Sequence, residues 1–86
     1  MLTTSEIAEK VKSVLADELK VSANELLPDK QIANDLGVDS LQMVELVMKL
    51  EEVFEIKIPD EEATGLVTVQ DAINYVQKRL NNSGQG

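Results

Sequence analysis

Ser40 is the residue whose surroundings point most clearly to chemistry. It lies in the run Leu36-Gly37-Val38-Asp39-Ser40-Leu41, directly before a strongly apolar segment. The 86 residues include no histidine and no cysteine, so Ser40 lacks the usual general base that would make it a nucleophile. A helix N-terminus favours negative charge and therefore suits a phosphate attached to a serine there. We predict that Ser40 is an attachment point rather than a catalytic residue.

The composition excludes several other classes of function. Without cysteine the chain forms no disulfide and no thiolate metal site. Sixteen acidic and eight basic residues give a net charge of −8, which disfavours nucleic-acid binding because phosphate neutralisation needs lysine and arginine. Basic protein surfaces are the expected partners. With no apolar run long enough for a membrane span, we expect a cytoplasmic monomer, with an organellar mature form as the alternative.

The hydrophobic pattern predicts an all-α fold, a small four-helix bundle with three main helices and one short third helix. The first helix should run from about residue 4 to about residue 20, with Thr3 as N-cap and a glutamate three residues later completing a capping box. Residues 21–38 form a long loop between the first and second helices. We expect one domain over residues 1–80 and a disordered tail over residues 81–86.

Capping signals also set the later helices. Asp39 is a good N-cap, so the second helix should begin at Ser40 and continue to about Glu55. The short third helix is predicted over residues 60–65, with acidic residues suited to its N-terminal dipole. Thr68 should cap the last helix, because an aspartate follows three residues later and an apolar stripe continues from there.

The second helix has more apolar residues than one buried face needs. One stripe contains Leu46, Leu50, Val53 and Phe54, with Val47 beside it. A second stripe, here called the apolar strip, contains Leu41, Val44 and Met48. Either the helix is buried nearly all round, or the apolar strip is exposed and binds another protein. Residues 39–62 carry eight acidic and two basic side chains, which favours a docking site with an acidic rim.

These features resemble an acyl carrier protein of the bacterial fatty-acid type. The similarity rests on residues 36–41, 44–54 and 56–63 and extends from about residue 3 to residue 80. It implies that a phosphopantetheinyl transferase (holo-acyl-carrier-protein synthase) attaches 4′-phosphopantetheine from coenzyme A to Ser40. The thiol of that arm would carry growing fatty acyl chains as thioesters, and the chain itself would not be an enzyme.

The resemblance also implies three groups of site residues. Asp39 and Leu41 would flank the modified Ser40. Fatty-acid synthesis enzymes and acyltransferases with basic docking patches would bind a surface that contains Asp39, Leu41, Val44, Glu45, Met48, Glu51, Glu52, Asp60 and Glu61. The acyl chain would enter between the helices, against Leu50, Phe54, Ile58, Ala63, Leu66, Val67 and Ile73. A soft core of aliphatic and methionine side chains is compatible with such a cargo.

Other functions stay open from the sequence. Gln42 replaces an acid common in the fatty-acid type, and Thr64-Gly65 replaces a more charged segment, so a specialised carrier for polyketide, peptidyl, lipid A or D-alanyl transfer is the alternative. An unmodified adaptor protein would use the apolar strip alone. Residues 60–71 also resemble a calcium loop. The last position of such a loop needs a glutamate that binds calcium through both carboxylate oxygens, and the Asp71 side chain is too short for this role. We predict no specific metal site.

Overall fold

The computed structural model describes residues 3–84, which form four α-helices and no β-strand. The elements are α1 (Thr4–Leu19), a 3-10 turn (Ala23–Glu25), α2 (Ser40–Phe54), α3 (Asp60–Ala63) and α4 (Val69–Gly84). This architecture confirms the predicted helical bundle with a short third helix and a long loop before α2.

The helices begin where the capping signals predict. Thr3 Oγ1 accepts the Glu6 N–H at 3.1 Å, and the Glu6 carboxylate accepts the Thr3 N–H at 2.9 Å. The hydrogen bond that the Thr3 N–H donates to the Glu6 carboxylate is the main cause that lowers the pKa of Glu6, and the Thr3 side chain contributes second. Thr68 and Asp71 make the same reciprocal pair of hydrogen bonds at the start of α4, both at 3.1 Å. Local chemistry therefore sets both helix starts.

The core lies between α1, α2 and α4 and is almost entirely aliphatic. Val11 and Leu15 of α1 are fully buried, as are Val69 and Val76 of α4. Phe54 is the one aromatic residue buried in the core formed by residues 3–81. Because side chains of this kind pack without fixed ring geometry, the core can adjust to small changes in helix position.

The long loop is held across the helix ends rather than extending freely into solvent. Leu26, Ile32 and Val38 are buried. Ile32 N–H donates to the Val67 carbonyl at 2.8 Å, and Gln31 pairs with Thr68 in an isolated antiparallel bridge. The loop is therefore fixed to the segment before α4, and its far end presents the start of α2 in a defined position.

The last helix is longer than the sequence indicates. α4 continues to Gly84, so residues 81–84 are helical where a disordered tail was expected, and residues 85 and 86 lie outside the described residues. Asn81 and the serine that follows are weak helix formers but do not break a helix, so the helix extends to the glycine. Within residues 3–84, no helix has the length and apolar character needed to cross a membrane.

Candidate functional site

The start of α2 presents Ser40 as its first residue, exposed to solvent. Gly37 precedes it with a φ of +68°, a left-handed conformation that glycine adopts without steric cost. Asp39 has extended backbone angles, and its Oδ1 accepts the Gln42 N–H at 2.8 Å. The Gln42 side chain makes no reciprocal bond to the Asp39 backbone in this part of the structure, so Asp39 caps the helix through this one hydrogen bond.

The apolar strip is exposed. Leu41 is 70% exposed, and Val44 and Met48 are each 55% exposed. On the opposite side of α2, Leu46 and Leu50 are each only 1% exposed. The alternative of a helix buried nearly all round is therefore wrong, and α2 has one face in the core and another available to solvent.

Acidic residues accompany the apolar strip on α2, at its N-cap and on α3. Among the acidic residues predicted to bind partners, those with exposed side chains are Asp39, Glu45, Glu52, Asp60 and Glu61. Glu51 differs, because it is half-buried. The residues predicted to bind partners therefore lie on α2, at its start and on α3, and all of them except Glu51 are exposed.

A cleft of about 390 Å³ begins at Ser40 and lies between α2 and α3. Its lining residues are Ser40, Met43, Val44, Val47, Met48, Glu51, Ile58, Asp60 and Ala63. Most of these side chains are apolar, so the cleft suits an apolar occupant. Sequence reasoning missed Met43 and Val47, although a helical spacing counted from Ser40 would have placed both on its side of α2.

The residues predicted to contact an acyl chain have different positions. Ile58 and Ala63 line the cleft itself. Four others lie deeper in the protein and are buried: Leu50, Phe54, Leu66 and Ile73. Val67 is 49% exposed and lies near the loop rather than in the interior. The structure thus brings two of the seven residues to the cleft next to Ser40.

Two hydrogen bonds connect the α3 segment to the neighbouring helices. Glu51 of α2 accepts the Ile58 N–H through Oε2 at 2.8 Å. The Tyr75 hydroxyl of α4 donates to Glu62 Oε1 of α3. Burial, and secondly this hydrogen bond to Glu62, raise the pKa of Tyr75 to about 12. Both contacts cross between elements, so they fix α3 against α2 and α4.

Residues 60–71 do not have the structure of a calcium loop. Their first four residues form α3, and Asp71 caps α4 by accepting the Thr68 N–H. No group of three or more acidic side chains that could hold a metal ion occurs among the described residues.

The site has the properties that a serine-linked phosphate group needs. Ser40 is exposed, lies at a helix N-terminus that favours an anion, and opens onto an apolar cleft. A sequence model of the family described as "Phosphopantetheine attachment site" matches residues 9–76, which is more than half of the chain. Members of this family carry an attached 4′-phosphopantetheine prosthetic group and are themselves non-catalytic carriers. The chain belongs to the phosphopantetheine attachment site family.

Proposed function

We propose that this chain is an acyl carrier protein of fatty-acid synthesis and that Ser40 is its attachment residue. The observation that carries the proposal is the exposed Ser40 at the mouth of an apolar cleft. The Ser40 hydroxyl would form the phosphodiester, and Asp39 would hold the turn that presents it. The bound arm would supply a terminal thiol that carries the acyl group as a thioester.

The apolar strip and its acidic rim are the proposed partner surface. Eight of the residues predicted for it are exposed: Asp39, Leu41, Val44, Glu45, Met48, Glu52, Asp60 and Glu61. Apolar side chains surrounded by charge are typical of transient docking surfaces, and the negative rim favours basic partners. A phosphopantetheinyl transferase, fatty-acid synthesis enzymes and acyltransferases with basic patches would bind here in turn.

The cleft is the proposed entrance for the acyl chain. Ile58 and Ala63 form part of its wall, opposite Met43 and Val47 of α2. Beyond it lie Leu50, Phe54, Leu66 and Ile73, whose side chains would have to move apart for a long chain. An apolar cargo would gain about 0.8 kcal/mol for each methylene group that it buries.

A specialised carrier is the second candidate. The observation in its favour is Gln42, whose uncharged side chain lies in the first turn of α2, close to Ser40. Fewer charges next to the attachment residue would favour a different set of partners. Mass spectrometry of the acyl groups on the protein isolated from its own cells distinguishes the two, since fatty acyl intermediates support our proposal and aminoacyl or polyketide groups support the specialised carrier.

Intact mass spectrometry tests the attachment directly. After incubation with coenzyme A and a phosphopantetheinyl transferase, we expect the mass of the protein to rise by one phosphopantetheine group. Ser40→Ala should abolish that rise, whereas Ser5→Ala, which changes an exposed serine of α1, should preserve it. An unshifted wild-type mass, or a shift that survives Ser40→Ala, contradicts the proposed function.

A further inference from the structure

Glu51 differs from the other acidic residues near the apolar strip. Its side chain is half-buried, while Glu45 and Glu52 on the same helix are exposed. Its carboxylate accepts the N–H of Ile58, seven residues along the chain, at 2.8 Å. A carboxylate bound to the backbone in this way is directed toward the protein rather than toward a partner in solution.

The hydrogen bond from Ile58 holds a segment that has little support of its own. α3 has only four residues, and Pro59 at its N-cap provides no side-chain hydrogen bond. A single helical turn is unstable in isolation, so its position depends on contacts with its neighbours. Glu51 supplies one such contact at the start of the segment, and the Tyr75 bond to Glu62 supplies another beyond it.

The same segment forms one wall of the cleft. Ile58, Asp60 and Ala63 lie on that wall, and Glu51 itself lines the cleft from α2. We propose that Glu51 is a positioning residue, which fixes this wall through the Ile58 N–H and so sets the room for an acyl chain. This inference rests on the proposed function, and it assigns Glu51 a role other than docking.

The charge of Glu51 and its hydrogen bond can be separated by substitution. Glutamine keeps the length of the side chain and an acceptor oxygen, but removes the charge. Aspartate keeps the charge, but its side chain is one methylene shorter and brings the carboxylate out of reach of Ile58. If Glu51 acts by position, Glu51→Gln should behave like the wild type and Glu51→Asp should not. If Glu51 instead acts as a docking charge, Glu51→Asp should behave like the wild type and Glu51→Gln should not.

Hydrogen exchange of the Ile58 amide in the unmodified protein measures the contact. We expect Glu51→Asp to accelerate this exchange about ten- to hundredfold, as for a buried N–H that loses its acceptor. Glu51→Gln should leave it near the wild-type rate. Glu52→Asp and Glu52→Gln are matched controls on an exposed neighbour and should change nothing at Ile58. An unchanged rate in Glu51→Asp, or an equal acceleration in Glu51→Gln, overturns the proposal.

A second measurement links the contact to the cleft. Wild-type protein loaded with a short or a long saturated acyl group should differ in melting temperature, because the longer chain buries more apolar surface. We expect Glu51→Asp to lose that difference and Glu51→Gln to keep it. If both variants keep it, the role of Glu51 at the cleft is refuted while the carrier function stands. If Ser40 accepts no group, the carrier function fails, and the Ile58 exchange still tests the position of Glu51.

Discussion

Tyr75 connects α4 to α3 and is the single tyrosine of the chain. Its hydroxyl is the donor to Glu62, so the bond requires the protonated phenol. Because the folded state raises its pKa from 10.0 to about 12, folding favours the protonated form. This contribution to stability is fully present below pH 10.0 and is lost as the pH rises toward about 12.

Alkaline titration tests the environment of Tyr75. With no tryptophan and no other tyrosine, the near-ultraviolet absorbance of the phenolate reports this one residue. We expect the folded protein to keep the phenol protonated above pH 10.0. Glu62→Gln should lower the midpoint, because it removes a negative charge beside the phenolate, and Glu61→Gln on the exposed side of α3 should not. A folded protein that titrates at the ordinary tyrosine pKa would contradict this.

α1 and α2 both end in a left-handed residue that is not glycine. Lys20 has a φ of 56° and Glu55 a φ of 54°, and each donates its N–H to a carbonyl of the last helical turn. This conformation costs a residue with a side chain about 1–2 kcal/mol relative to the right-handed region. Both helix ends therefore carry backbone strain that glycine would relieve.

Glu55→Gly should stabilise the protein. We expect the free energy of unfolding to rise by about 0.5–1 kcal/mol, since the relieved strain exceeds the entropy that glycine adds to the unfolded chain. Glu52→Gly, inside α2, should instead lower it by about 1 kcal/mol. Denaturant unfolding of the two variants measures both effects. Equal destabilisation by the two substitutions would show that the strain at Glu55 is absent.

The sequence predicts helix starts better than it predicts the cleft. Thr3, Asp39 and Thr68 cap helices through neighbours within three residues, so their signals are local. The cleft depends on the distance between α2 and α3, which tertiary packing decides. For that reason the sequence places Val47 beside the buried stripe, although it also lines the cleft, and local patterns do not predict the bond between Glu51 and Ile58.

The charge of the whole molecule is concentrated at the proposed site. Residues 39–62 account for eight of the sixteen acidic residues but only two of the eight basic ones. Such an uneven distribution produces a field that orients an approaching basic partner before contact. Salt screens this field over about 10 Å at 0.1 M, so its effect on association depends on ionic strength.

Charge reversal tests the proposed docking surface. We expect Glu45→Lys to slow phosphopantetheinyl transfer to Ser40 by a few-fold to about tenfold at low salt and to flatten the salt dependence of the rate. Glu9→Lys changes the net charge equally, but lies on α1 and should have a much smaller effect. Steady-state rates over a salt series measure both. Equal slowing by the two variants would show that net charge alone matters.

The exposed apolar strip also affects how copies of this protein behave toward one another. The strip is an exposed apolar surface on each copy, formed by Leu41, Val44 and Met48, and the strips of two copies can contact each other. Mutual repulsion of the surrounding carboxylates opposes that contact at neutral pH. Salt screens that repulsion and leaves the apolar area unchanged. The carboxylates proposed to attract basic partners therefore also preserve the colloidal stability of a concentrated solution.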